Sequence, residues 1–299
     1  MAVAELTFGR EKVASAKEES QLAMVWRRFR RHRLAVVGLS IASLLALACF
    51  IGPMVSPYAA NKIETGGAAY SGLKRLAPGT RMTLEWDRRS PDSATDDRIV
   101  RVTEGWVAAE VATNDVEHRL YVLGTDNSGR DTLTRLMQGG RVSLSLALLV
   151  VLCAQIIGTA VGAASGYFGG WVDTIVMRTV DFLLTLPSLP IFMVLQVILR
   201  SRDIPGGSIG VLAVVFILLG WTGPARLVRG MVLSLKNQEF TEAARAMGAS
   251  DWRIVLRHLI PNSLAPVLVS ATLAIGGIVV GEASLSYLGF GVQPPDPSW

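Results

Sequence analysis

Apolar and polar positions are spread unevenly along this chain of 299 residues. The first uninterrupted block runs from Leu34 to Val55, 22 residues without a charge. At about 1.5 Å per helical residue, that length crosses a hydrocarbon core of about 30 Å. Pro53 and Pro57 mark its exit. Four more apolar blocks follow at about 142–165, 174–199, 209–228 and 263–281. Pro187 and Pro190 fall inside the third span and predict a kink there. The pattern therefore predicts an all-α polytopic membrane protein with five spans.

The first two blocks are separated by a polar insert, residues 57–141, with 12 Lys/Arg and 12 Asp/Glu. Met82–Trp86 and Arg98–Val102 alternate with a period of two, as half-buried strands do. A small β-rich unit is expected here. Gly124–Asp131 is a turn cluster, and either Asp131 or Ser128 can cap the helix that follows. In the second span Gly158, Gly162, Gly166 and Gly170 recur every four residues. Such a face lets a neighbouring backbone approach closely. Bundle packing is the plain reading, and a tight moving contact the functional one. Gly277 and Gly281 repeat the pattern more weakly.

Composition narrows the choice. The chain is 51% hydrophobic and 18% charged, against about 25% charged in soluble domains. An ordinary soluble enzyme, a disordered chain and a disulfide-stapled domain are excluded. The net charge of +5 suits a membrane protein with basic cytoplasmic loops as well as a nucleic-acid binder. Residues 1–33 hold eight Lys/Arg against four acids, and Arg226–Arg257 hold six against three. Both segments are expected in the cytoplasm, which puts the insert outside. Cys49 and Cys153 lie inside apolar blocks, and His32, His118 and His258 show no metal-ligand spacing. No Gly-Lys dipeptide occurs, so there is no phosphate loop of the GxxxxGK[ST] kind. No cofactor, metal or catalytic residue is expected on this chain, and any ATP would be bound by another one.

The segment 237–262, between the fourth and fifth spans, carries the most information. Phe240, Ala243, Ala244 and Met247 stand at i, i+3, i+4 and i+7, the apolar face of a first helix. Gly248 can end that helix in a left-handed conformation. Ser250 can cap a second helix, with Asp251 in its first turn. Trp252, Val255, Leu256 and Leu259 then form a second apolar face, and Pro261 is expected to stop the helix. An amphipathic hairpin lying on the bilayer is the bland alternative, opposed by Glu239 and Glu242, which anionic headgroups would repel.

Ionisable and polar residues inside spans are candidates for function by default. Arg178 and Asp181 lie three apart and are expected to pair with each other near the cytoplasmic end of the third span. Glu282 follows the fifth span, at the mouth of a pathway or at the interface. Gln155 and Gln196 read as helix–helix hydrogen-bonding residues, with a place in a pathway as the sharper alternative.

Glu242-Ala243-Ala244, then Gly248, then Ile260-Pro261 resembles the EAA loop of ABC importer permeases. The runs Leu123–Asp126, Gly129–Asp131, Gly166–Asp173, Ala225–Gly230, Glu282–Gly289 and Gly291–Pro295 resemble the dipeptide/oligopeptide/nickel family, most closely its C-type subunit. The resemblance covers about Leu123–Trp299 together with the basic N-terminus and first span; much of 57–120 matches nothing in it. It implies a type I ABC importer transmembrane domain in the cell inner membrane, with the N-terminus cytoplasmic. The division becomes 1–33 cytoplasmic, 34–56 first span, 57–141 extracytoplasmic insert and 142–299 permease core.

The implied function is ATP-driven import of peptides or similar small solutes by alternating access. Glu242, Ala243, Ala244, Gly248, Ile260 and Pro261 would couple the chain to an ATPase. The implied partners are a homologous second permease, two ATPase subunits carrying ATP and Mg, a solute-binding protein and membrane lipid, with no nucleic acid. The resemblance also implies a further span and cytoplasmic tail beyond Trp299, so the chain is expected to be truncated before its last span. The competing expectation is a membrane scaffold or sensor whose insert binds a ligand without transport.

Overall fold

The computed structural model describes residues 33–56, 75–87, 99–105, 114–201, 204–293 and 296–299. The basic N-terminal stretch 1–32 lies outside the described residues, as do positions 57–74, 88–98 and 106–113 of the insert. Helix α1, Arg33–Val55, is apolar on all sides and buries only Cys49. By compactness the chain divides into Met1–Leu47 and Ala48–Trp299.

The insert contains an open antiparallel sheet of β1 (Thr80–Asp87), β2 (Ile99–Glu104) and β3 (Asn114–Tyr121) in the order β2-β1-β3. Leu84 of β1 stands opposite Val102 of β2 and Glu117 of β3, and the β1–β2 register shifts between Glu85 and Trp86. The first two strands follow the alternation read from the sequence. The third was not foreseen, because His118 interrupts the apolar file of Val116 and Leu120.

The turn after β3 is organised by Asp126. Its carboxylate accepts the backbone N–H of Ser128 (2.8 Å) and of Arg130 (3.0 Å), and Nε–H of Arg130 (2.8 Å). Asp131 caps the next helix, its Oδ2 accepting Thr134 N–H at 2.7 Å. Burial alone would raise the Asp126 carboxyl, but the Arg130 and Ser128 N–H groups and the Arg130 guanidinium prevail and hold it below its ordinary 3.8.

Helix α2, Thr132–Phe168, runs 37 residues, beginning well before the apolar block because Asp131 caps it there. Helices α3 (Gly170–Thr185) and α4 (Ser188–Arg200) are bent by 97° at Leu186-Pro187. Pro187 has no N–H to continue the ladder, and Leu186 before it is extended, as residues preceding proline prefer. Helices α5 (Gly207–Gly220) and α6 (Thr222–Leu235) form an apolar stretch of 29 residues. Then come α7 (Glu239–Ala246), α8 (Asp251–Ile254), a π turn (Val255–Leu259) and α9 (Ile260–Tyr287). Among the described residues four helical stretches are long and apolar enough to cross a membrane, and the bent pair makes a fifth.

Helix α2 is the hub, packed on α6, α9, α5 and α3. Gly158, Gly162 and Gly166 make its contact with α6. A β-carbon on Gly158 would stand 2.6 Å from the Trp221 carbonyl oxygen, and one on Gly166 2.9 Å from that of Arg229; one on Gly162 would collide with the Ala225 carbonyl. Gly170 is not part of this stripe. Helix α2 ends at Phe168, and Gly169 and Gly170 turn the chain at φ of 64° and 58°.

Pro261 does not stop a helix. It occupies the first turn of α9, where a missing N–H is tolerated. The preceding π turn widens the backbone, and Ile260 N–H reaches back to Val255 O. Asp251–Tyr287 therefore reads as one helical stretch of 37 residues.

Two expectations follow. Gly162→Leu should destabilise the folded chain by about 1–3 kcal/mol, the usual cost of overpacking. Gly230→Leu, at a site with nothing within 4 Å of the added β-carbon, should not. Thermal unfolding in detergent separates them, and equal midpoints would refute the packing account. The second concerns Asp126, whose lowered carboxyl contributes stability above 3.8 that is lost as pH falls through its folded-state value. Backbone exchange in the 124–131 turn should rise on acidification below about pH 4, and Asp126→Asn should abolish that dependence.

Candidate functional site

Helices α7 and α8 form an elbow between α6 and α9. Gln238 precedes α7 in an extended conformation, and Glu239 and Glu242 lie in its first turn, where carboxylates favour the helix dipole. The helix ends at Gly248, whose φ of 79° is the left-handed conformation expected there. The Gly248 N–H donates to Arg245 O (2.9 Å) and the Ala249 N–H to Ala244 O (3.0 Å), closing the turn. Ser250 occupies the N-cap of α8, but its side chain makes no capping hydrogen bond.

The elbow is anchored from inside by Ala244, Ile254, Val255 and Leu259, which join Ala163 of α2, Val228 and Val232 of α6 and Val267 of α9 in one buried cluster. Thr241, wholly buried, donates its hydroxyl to Leu235 O at 2.9 Å and ties α7 to the end of α6. The apolar faces read from the sequence are thus divided between inside and outside. Ala244, Val255 and Leu259 turn inward, whereas Phe240, Met247, Trp252 and Leu256 are exposed, Met247 by 82% and Trp252 by 61%. Glu242, Ala243 and Gly248 are exposed beside them. Ala244 is packed against the bundle.

Polar contacts hold the elbow to α2. Tyr167 donates its hydroxyl to Asp251 Oδ1 at 2.5 Å. Phe168 packs edge-on against Trp252, ring centres 5.9 Å apart. Lys236 Nζ donates to Gly166 O at 3.1 Å. Beside them, Asp173 of α3 accepts two hydrogen bonds from the Arg229 guanidinium, each 2.6 Å, and one from Ser165 Oγ at 2.5 Å. Tyr167, Asp173 and Arg229 were given no role from the sequence, although Asp173 and Arg229 lie in two of the quoted family-like runs. Opposite charges in two such runs are the signal that could have linked them.

The other candidates separate. Asp181 pairs not with Arg178 but with Arg226 of α6, at 2.5 Å. Both side chains of the pair are more than half exposed on this chain. Glu282 does not follow the last helix but lies inside it, wholly buried. It accepts hydrogen bonds from Ser143 Oγ (2.9 Å) and Ser286 Oγ (2.7 Å), so it ties α2 to α9. Gln155 of α2 donates to Ser270 Oγ of α9 at 3.2 Å. Gln196 is buried in α4. Ile260 packs on the elbow's buried cluster, and Pro261 is exposed.

Helix α9 also walls an apolar cavity of about 1030 Å³, lined from α9 by Ser270, Leu273 and Gly277 and from α2 by Val150 and Gln155. The elbow and this cavity are therefore joined by one continuous helical stretch. Among the described residues no cluster of His, Cys, Asp or Glu could hold a metal ion.

Comparison with known proteins adds to this geometry. A family model described as binding-protein-dependent transport system inner membrane component matches residues 158–299. A second, the N-terminal transmembrane domain of oligopeptide transport permease C, matches residues 20–78. The chain is 34% identical to a glutathione transport system permease of Pectobacterium atrosepticum, covering 92% of this chain and 74% of the relative. It is 32% identical to an oligopeptide transport system permease of Mycobacterium bovis, over 93% and 79%. A dipeptide transport system permease of Bacillus subtilis is 31% identical, over 92% and 70%.

Proposed function

Because the chain belongs to the ABC importer permeases, in the C-type subunit family of peptide and nickel systems, we propose that its α7–α8 elbow is gripped by a separate ATPase subunit. It is a membrane transport subunit, not an ATPase. The single observation that carries the coupling role is the exposed side of the elbow. Phe240, Met247, Trp252 and Leu256 lie open around Glu242 on an element whose other side is packed into the bundle. Apolar residues rimmed by charge on a fixed support suit a protein partner.

Each residue then has a task. Glu242 meets a basic group on the ATPase. Ala243 leaves room for close approach, and Gly248 holds the turn in a conformation that a side chain would strain. Ala244 and Ile260 anchor the elbow, and Pro261 starts the helix that leaves it. When the ATPase subunits close around ATP, the pull enters at α7 and passes through the π turn into α9. Because α9 walls the cavity, this displacement favours one access state over the other. The full assembly comprises a homologous second permease, two ATPase subunits and an extracytoplasmic solute-binding protein. The N-terminus and the elbow are cytoplasmic and the insert is outside, an orientation supported by the charge bias of the connecting segments. The cargo is a peptide or a similar small solute, in keeping with the names of the relatives.

Gly248→Val puts a branched side chain at a φ of 79°, where an added β-carbon meets no neighbour within 4 Å. It should lower substrate-stimulated ATP hydrolysis and transport in the reconstituted complex by about tenfold or more, while the chain still inserts and assembles. Unchanged hydrolysis and transport would remove the elbow from the coupling path.

A further inference from the structure

A second hollow, of about 520 Å³, opens between α2 and α5 at the end of the bundle away from the elbow. Its polar lining is Gln138, Arg141 and Ser145 of α2. Its floor is apolar. Leu146 and Ala213 belong to a buried cluster shared by the two helices, and Leu149 is half exposed at the lower rim. From Gln138 to Leu149 the groove runs about 16 Å along α2, at about 1.5 Å per residue. Arg141 directly precedes the charge-free stretch that begins at Val142. The polar end therefore lies at headgroup depth and the apolar end inside the hydrocarbon.

Two independent observations mark the polar end as an anion site. Arg141 is exposed and, among the described residues, has neither a hydrogen bond nor an ion pair. Helix α5 starts beside it on Gly206, which caps the helix without a side-chain acceptor. Of the first four N–H groups of α5, those of Gly207 and Gly210 donate to Ile204 O and Gly206 O. Those of Ser208 and Ile209 meet no backbone acceptor among the described residues. Gly206 and Gly210 line the groove without side chains that would screen this helix end. An unpaired guanidinium next to such an end attracts a phosphate. A free phosphate would leave the apolar floor bare, whereas an amphipathic anion uses both ends.

We propose that this groove holds one anionic phospholipid of the leaflet opposite the elbow. Its phosphate sits on Arg141 and the first turn of α5, and one acyl chain lies along Leu146, Ala213 and Leu149. The membrane setting and the leaflet, the outer one, rest on the permease reading given above. The groove follows the helix axis, the direction that acyl chains take in a bilayer. Its volume takes the phosphate and the upper part of one chain, and the remainder of the lipid stays in the surrounding leaflet. Because α2 and α5 both wall the central cavity as well, the lipid ties together two helices of the path at its outer end.

The test uses the complete importer in nanodiscs of phosphatidylcholine. Trace phosphatidylglycerol or phosphatidylcholine, each carrying the same photoactivatable acyl chain, is added, and adducts are mapped by peptide mass spectrometry. In wild type, peptides covering 142–149 and 209–213 should take at least about fivefold more label from phosphatidylglycerol. Arg141→Gln should bring the two lipids level there. Arg141→Lys should keep part of the preference, since it retains the charge without the fork. Ser145→Trp fills the groove with Arg141 in place and should lower the phosphatidylglycerol label several-fold. Excess inorganic phosphate should leave the wild-type label unchanged.

Equal labelling by both lipids in wild type overturns the inference, since the groove would then hold ordinary bilayer lipid. Absence of label from either lipid also overturns it and makes the second permease chain the cover. A preference that survives Arg141→Gln, or a label displaced by inorganic phosphate, contradicts the assignment of the headgroup. The labelling needs neither substrate nor ATP, so it can fail while transport stands, and transport can fail while it stands.

Discussion

The close approach of α2 to α6 governs the rest of the molecule. Three glycines bring the α2 backbone against the α6 carbonyls, at a separation that leaves no room for a β-carbon. Bringing backbones together in this way is how helices associate in a medium where apolar burial offers no drive. It also sets the ends. With Gly166 against Arg229 and Val232, Tyr167 falls beside Asp251, Phe168 beside Trp252, and Asp173 beside Arg229. The clamp on the elbow depends on this alignment.

A rigid elbow suits the proposed transfer of force. The elbow's inner side is packed into the bundle, and its far end passes into α9 without a loop. Pro261 and the π turn look like interruptions, yet they preserve continuity: the wider turn relieves the backbone crowding that the proline ring would otherwise cause. The same helix carries Ser270 at the cavity and Glu282 near its other end, held by Ser143 of α2. One element thus connects the elbow, the cavity wall and the buried Glu282.

Much of this was legible in the sequence, and the exceptions have physical causes. Charge-free blocks mark spans because the bilayer admits little else, and Gly248 marks a turn because few residues tolerate its backbone. The apolar faces of the elbow divide, with Phe240, Met247, Trp252 and Leu256 exposed and Ala244, Val255 and Leu259 buried; periodicity finds apolar stripes without saying what covers them. An exposed apolar face and a buried one look alike in one dimension. Arg178 and Asp181 were matched by spacing, but Arg226 on a neighbouring helix lies nearer. Glu282 was placed outside the membrane-crossing helix because a carboxylate ordinarily ends such a block; two serines, Ser143 of α2 and Ser286 one turn further along α9, make its burial acceptable. Ser250 occupies a cap without performing the capping hydrogen bond, which no pattern could reveal.

The central claim is that elbow and cavity wall move as one body. Spin labels at Met247→Cys and Leu273→Cys, in the assembled importer with Cys49 and Cys153 replaced, measure it by electron–electron distance spectroscopy. Between nucleotide-free and ATP-bound complexes the distance within this chain should stay fixed, while that from Met247→Cys to the matching elbow of the second permease shortens. A shift of several ångströms within the chain, with the elbows unmoved, would contradict the account.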